Sequence, residues 1–154
     1  MTAAKPKSER ARKAPKKITE SYLHNSGLHY LQRFSTGTEN FRRVMMRKVD
    51  RSCRHHKDQS REDCAVMVEA LIEKFARAGL LNDADYTRAA VATLRRRGES
   101  ARAIEARLRA KGLPREEIRK NLETEDDTDP EFMAALRFAR RRRLGPFATG
   151  KPKE

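Results

Sequence analysis

Several absences narrow the field before any motif is read. The 154-residue chain has no apolar run approaching the roughly 20 residues that a helix needs to cross a bilayer, so no membrane association is expected. Its basic amino-terminal stretch is not followed by an apolar segment, which argues against a secretory signal. There are only two cysteines, Cys53 and Cys64; in a long charged chain they fit a reducing, cytoplasmic setting better than a disulfide scaffold. No β-branched run alternates with polar residues over five positions, and no Asn-Gly or Asp-Gly hairpin signal occurs, so a sheet is not expected. The phosphate-binding pattern G-x-x-x-x-G-K-[ST] is missing, as is any readable Ser/His/Asp or Cys/His arrangement. No catalytic role and no cofactor are therefore expected. Zinc would be announced by paired ligands; Cys53, His55 and His56 with one distant Cys64 lack the second pair. Cys64 reads instead as a small core residue and the histidines as loop residues.

What the chain has in abundance is positive charge. Thirty-six Lys and Arg stand against 22 Asp and Glu, a formal net charge of +14, with 37% of residues hydrophobic. A thin core and a polyanionic or acidic partner follow. Residues 1–17, broken by Pro6 and Pro15, read as a disordered basic tail. About half of the excess charge lies beyond that tail.

Helical periodicity organises the remainder. A helix is expected over Thr19–Phe34, with Leu23, Gly27, Tyr30, Leu31 and Phe34 on one face. A second runs from about Glu39 to His56, with Phe41, Val44, Met45 and Val49 inward and arginines around them. A third, Glu62–Ala78, is the most apolar and ends at Gly79. The stretch Leu80–Leu122 is the most regular. Asn82 or Asp83 caps a helix whose stripe Tyr86, Ala89, Ala90, Thr93 and Leu94 should face inward, and Gly98 stops it. Ser100 caps the next helix, with Ile104 and Leu108, and Gly112 stops that one. Pro114 opens a third, with Glu116 and Glu117 near the positive dipole end and Ile118 and Leu122 as contacts. After the acidic Thr124–Pro130 segment, Asp129 caps a last helix. Its stripe is Phe132, Ala135, Leu136 and Ala139, it runs into Arg140–Arg143, and Gly145-Pro146 stops it. The fold class expected is all-α: tandem three-helix repeats in an elongated, solenoid-like array. Its modules are 18–81 and 82–124, with a truncated third repeat of one helix at 125–145 and a tail at 146–154.

The residues Gly79-Leu80-Leu81-Asn82-Asp83, Tyr86, Arg95-Arg96-Arg97-Gly98, Ile104, Leu108, Lys111-Gly112-Leu113 and Ile118 resemble the RecX family, regulators of the RecA recombinase. Tyr30-Leu31-Gln32-Arg33-Phe34-Ser35 and Phe41-Arg42-Arg43-Val44 look like that family's first module. The resemblance covers roughly residues 20–145. It implies a repair and recombination regulator that binds the RecA filament on single-stranded DNA and curbs its ATP hydrolysis and strand exchange. Arg95, Arg96, Arg97, Arg102, Arg107, Arg109 and Lys111 are the expected filament-facing cations, with Arg140, Arg141, Arg142 and Arg143 behind them. A monomer is expected. The alternative is a stand-alone basic DNA-binding helical protein. Against it, the helix Ser100–Lys111 offers no Asn or Gln for base reading.

Overall fold

The computed structural model describes residues 13–123 and 130–148. Among them, seven α-helices and one 3₁₀ turn make up the regular structure, with no strand, as the all-α expectation requires. The helices are α1 (Glu20–Leu31), α2 (Thr38–His55), α3 (Arg61–Arg77), α4 (Asp83–Arg96), α5 (Ala101–Ala110), α6 (Arg115–Glu123) and α7 (Pro130–Arg142), followed by the 3₁₀ turn Gly145–Phe147.

Their starts follow from short polar side chains. The Thr19, Ser60, Asn82 and Ser100 side chains each accept a hydrogen bond from a first-turn N–H of α1, α3, α4 and α5. Pro114 stands just before α6, where its carbonyl accepts from Ile118 N at 3.2 Å. The cap expected at Asp129, the acidic segment around it and the tail 1–12 lie outside the described residues.

α1, α2 and α3 close a first core around Leu23, Phe41, Met45, Val49, Val68 and Phe75. The Phe41 and Phe75 rings lie 5.8 Å apart. A methyl at Gly27 would fall 2.8 Å from the Phe75 ring, so the residue that weakens α1 as a helix is what lets it settle on this pair. Phe34, expected on the same face, lies beyond the end of α1 and is exposed. α4, α5 and α6 close a second core of Val91, Leu94, Ile104, Leu108, Leu113 and Ile118.

A joint connects the two cores. α2 begins at Gly37, which has no side chain to cap it; Asp83, in the first turn of α4, accepts from Thr38 N at 2.7 Å in its place. Asn82 caps α4, so the two candidate caps serve two different helices. Arg43 donates to the Ala110 carbonyl at 3.2 Å near the end of α5, and Glu39 packs directly over Gly112. Arg42 pairs with Glu39 and Glu69; the Glu69 hydrogen bond is the main reason its guanidinium is held above its usual pKa.

The segment before α1 departs from the expectation of disorder over residues 13–17. Ser52 donates to the Lys16 carbonyl at 2.8 Å, and His56 Nε2 lies 2.8 Å from the Pro15 carbonyl. Gln59 accepts from Ile18 N and donates to Ile18 O, both at 3.0 Å, while Ile18 itself is buried. Composition alone read this stretch as tail; the polar α2–α3 turn supplies the hydrogen bonds that hold it.

α7 docks by its small side. Ala134 is buried, whereas Phe132, Ala135 and Leu136 of the expected inward stripe are exposed. The cause is Gly98, whose position would bring a Cβ within 3.0 Å of Phe138 N and 3.1 Å of Ala134 O: α7 lies against bare backbone there. The helix also stops earlier than Gly145. Arg143 takes a left-handed φ of 53°, and Leu144 N donates to Ala139 O at 2.9 Å.

Candidate functional site

α4 carries two stripes. Thr87, Val91, Leu94 and Arg95 are buried, at spacings of one helical face. Tyr86, Ala89, Ala90 and Thr93, expected inward, instead line a cleft, meeting the core only at Leu94 and the edges of Tyr86 and Ala90. The two stripes are offset by about one residue, roughly 100° around the helix.

The cleft has two connected parts that share Ser35, Tyr86 and Ala89. The first, about 500 Å³, lies between the loop after α1 and the α3–α4 turn. The second, about 330 Å³, lies between α4 and α5 and is bordered by Arg97, Arg107 and Lys111. A separate cavity of about 540 Å³ lies between the start of α5 and α7, where Arg107 and Arg141 face the apolar Ala134 and Phe138.

The expected cations divide by environment. Arg95 is a correction: at 4% exposed it cannot present a contact surface. Its Nη1 donates to Glu131 Oε1 at 3.0 Å, the same oxygen that accepts from Ala101 N at 2.8 Å at the start of α5. Arg137 donates to the Arg95 carbonyl at 3.3 Å, so Arg95 fastens α7 to α4. Arg107 pairs with Glu99 at 3.3 Å, and Lys111 donates to the Tyr86 hydroxyl at 3.2 Å with its ammonium 5.8 Å from that ring. Arg96 donates to Thr93 Oγ1 at 3.2 Å. Arg97, Arg102 and Arg109 are exposed, and no carboxylate among the described residues pairs with them. Arg140 lies 5.6 Å from the Phe147 ring, Arg141 and Arg142 lie 5.9 and 5.7 Å from that of Phe138, and Arg143 is exposed at the turn.

Sequence reasoning missed Arg33, Phe34 and Leu80, which stand at the first part of the cleft. Leu80 carried one signal, a large apolar residue just past a helix-stopping glycine, whereas Arg33 and Phe34 read as the last turn of a helix that in fact ends at Leu31. Among the described residues no group of three or more His, Cys, Asp and Glu side chains is placed to hold a metal ion, and no helix is long and apolar enough to cross a membrane. Cys64 is a buried core residue, and burial pushes its thiol pKa up.

The described residues thus form an all-helical scaffold of two joined cores carrying a cleft with a small-residue floor and cationic borders. Residues 82–122 match the family model described as RecX, second three-helix domain. A protein of Myxococcus xanthus (strain DK1622), named Regulatory protein RecX, is 41% identical over 143 residues, covering 93% of this chain and 76% of that protein. No solved structure matches the chain. The chain belongs to the RecX family.

Proposed function

We propose that this protein regulates homologous recombination and DNA repair in the cytoplasm by binding, as a monomer, the RecA filament on single-stranded DNA. Binding inhibits ATP hydrolysis and strand exchange. Residues 18–81 and 82–124 act as successive modules along the filament, with 125–145 as part of a third. The observation that carries this reading is a set of exposed cations with no carboxylate partner among the described residues, Arg97, Arg102 and Arg109, the first of them at the edge of the cleft, in a chain of this family. Arginines left unneutralised on a folded surface lower the cost of meeting phosphates or carboxylates, because no internal pair has to be broken first.

The test is RecA ATP hydrolysis on single-stranded DNA, titrated with the protein beside a DNA-binding control at the same salt. Inhibition well below the concentration that coats bare DNA supports filament recognition. Inhibition only where free DNA is saturated, with both falling together as salt rises, assigns the protein to stand-alone DNA binding and overturns the filament reading.

A further inference from the structure

The cations account for only the second part of the cleft along α4. The first part contains one arginine, Arg33, and one carboxylate, Asp85, which is turned onto Arg88. It is bordered by two large apolar side chains held out in water, Phe34 at 54% exposed and Leu80 at 48%. Both are fixed by their backbones. Phe34 N donates to Tyr30 O at 3.0 Å with the two rings 5.0 Å apart, and Leu80 N donates to Phe75 O at 2.9 Å. An apolar seat therefore opens, across Tyr86 and Ala89, into a section edged by Arg97, Arg107 and Lys111.

We propose that this cleft receives an extended acidic peptide segment of a protein partner, with one large apolar side chain seated between Phe34 and Leu80 and carboxylates reaching Arg97, Arg107 and Lys111. Charge complementarity selects the acid. The floor selects peptide over nucleic acid: it is built from Ala89, Ala90, Leu94 and Leu108. Tyr86, the aromatic between the two parts, is half-buried with its hydroxyl engaged by Lys111 and that ammonium 5.8 Å from its ring, which leaves Phe34 as the one exposed ring among the lining residues and no row of aromatics on which successive bases could stack. Length fixes the spacing. From Tyr86 to Arg97 α4 rises roughly 16 Å, which an extended peptide covers in about five residues.

The cleft assignment rests on the partner-binding reading above, and a test without recombinase lets the two fail separately. The probe is a fluorescein-labelled synthetic peptide with one phenylalanine and glutamates roughly five residues to either side, read by anisotropy against the full chain. Binding is expected to weaken about tenfold or more with alanine for the peptide's phenylalanine, glutamine for its glutamates, or Leu80→Glu in the protein. Phe34→Ala, at a second exposed position, guards against a folding defect, and unfolding curves of both variants should match the parent. No binding up to about 1 mM overturns the proposal. So does binding indifferent to Leu80→Glu and Phe34→Ala. Displacement of the peptide by a thymidine oligonucleotide whose own binding is lost in Leu80→Glu assigns the cleft to nucleic acid. Self-association lost in the same variant assigns it to a second copy of the chain; either result refutes the peptide.

Discussion

Gly79→Ala and Gly98→Ala form a matched pair that isolates the docking of α7. Both glycines follow a helix in the left-handed conformation, with φ of 75° and 80°. Alanine costs about 1–2 kcal/mol there, from the clash of its Cβ with the backbone. At Gly79 nothing lies within 4 Å of the added methyl, so that is the whole cost. At Gly98 the methyl meets Phe138 N at 3.0 Å and Ala134 O at 3.1 Å, backbone atoms that no rotamer change can move. Relief requires α7 to shift as a body, adding about 1–3 kcal/mol of overpacking. Urea unfolding should therefore show a loss of about 1–2 kcal/mol for Gly79→Ala and about 2–5 kcal/mol for Gly98→Ala. Hydrogen exchange gives the local reading. Amides of α7 should exchange roughly tenfold faster in Gly98→Ala for each 1.4 kcal/mol of extra cost, and at the parental rate in Gly79→Ala. Equal losses in the two variants, with α7 exchange unchanged in both, would refute the claim that Gly98 is where α7 rests.

Three further outcomes follow from other contacts. Asp83→Ala should lower stability by about 1 kcal/mol and speed exchange at the start of α2 rather than α4, while Asp83→Asn, still an acceptor, retains most of it; loss confined to α4 would show that Asp83 caps its own helix. Arg95→Ala should destabilise the fold by about 1–3 kcal/mol, whereas Arg102→Ala and Arg109→Ala should stay within about 0.5 kcal/mol in urea unfolding. On the proposed function, the latter two should weaken inhibition of the RecA recombinase instead, and if phosphate is what they meet, each should lower the salt slope of binding by about one. Asp58, whose carboxyl is held below its ordinary pKa by the Lys17 hydrogen bond and then by its own backbone, adds stability that is present above that ordinary value. It is lost as pH falls through the lower folded value, and an NMR titration of Lys17→Ala should show the Asp58 pKa moved up toward its ordinary value.

The local grammar of the chain was legible because it is written in neighbouring residues. Asn82 and Ser100 cap the helices they precede, and Gly79, Gly98 and Gly112 are left-handed where the helical stripes run out. What spacing could not decide was which of two stripes on α4 faces the core. Tyr86, Ala89, Ala90 and Thr93 satisfy the same periodicity as Thr87, Val91 and Leu94, and only the packing of α5 and α6 chooses between them. Arg95 was misread for a related reason. Consecutive helical residues point about 100° apart, so the three cations of Arg95-Arg96-Arg97 cannot share one face, and Arg95 is the one that continues the buried stripe of Thr87, Val91 and Leu94. Cross-element roles were invisible for a different reason: Asp83 capping α2 and Glu131 joining Arg95 to the start of α5 connect residues 45 and 36 positions apart.

The way Gln59 holds Ile18 has a consequence for how the chain is made. The side-chain amide occupies both the N–H and the C=O of a residue 41 positions earlier. Those groups leave the ribosome first and must wait for their partner, about 2–8 s at ordinary rates of synthesis. α1 waits longer still, because the Phe75 ring on which Gly27 rests comes after Gln59. Until then Leu23 and Ile18 travel exposed on a nascent chain that cannot complete its first core. α4, α5 and α6 wait less, because their core runs only from Val91 to Ile118, 27 positions. Synonymous codons that slow translation between residues 18 and 75 therefore lengthen the period of exposure, while the same slowing after Phe75 leaves the first core time to close.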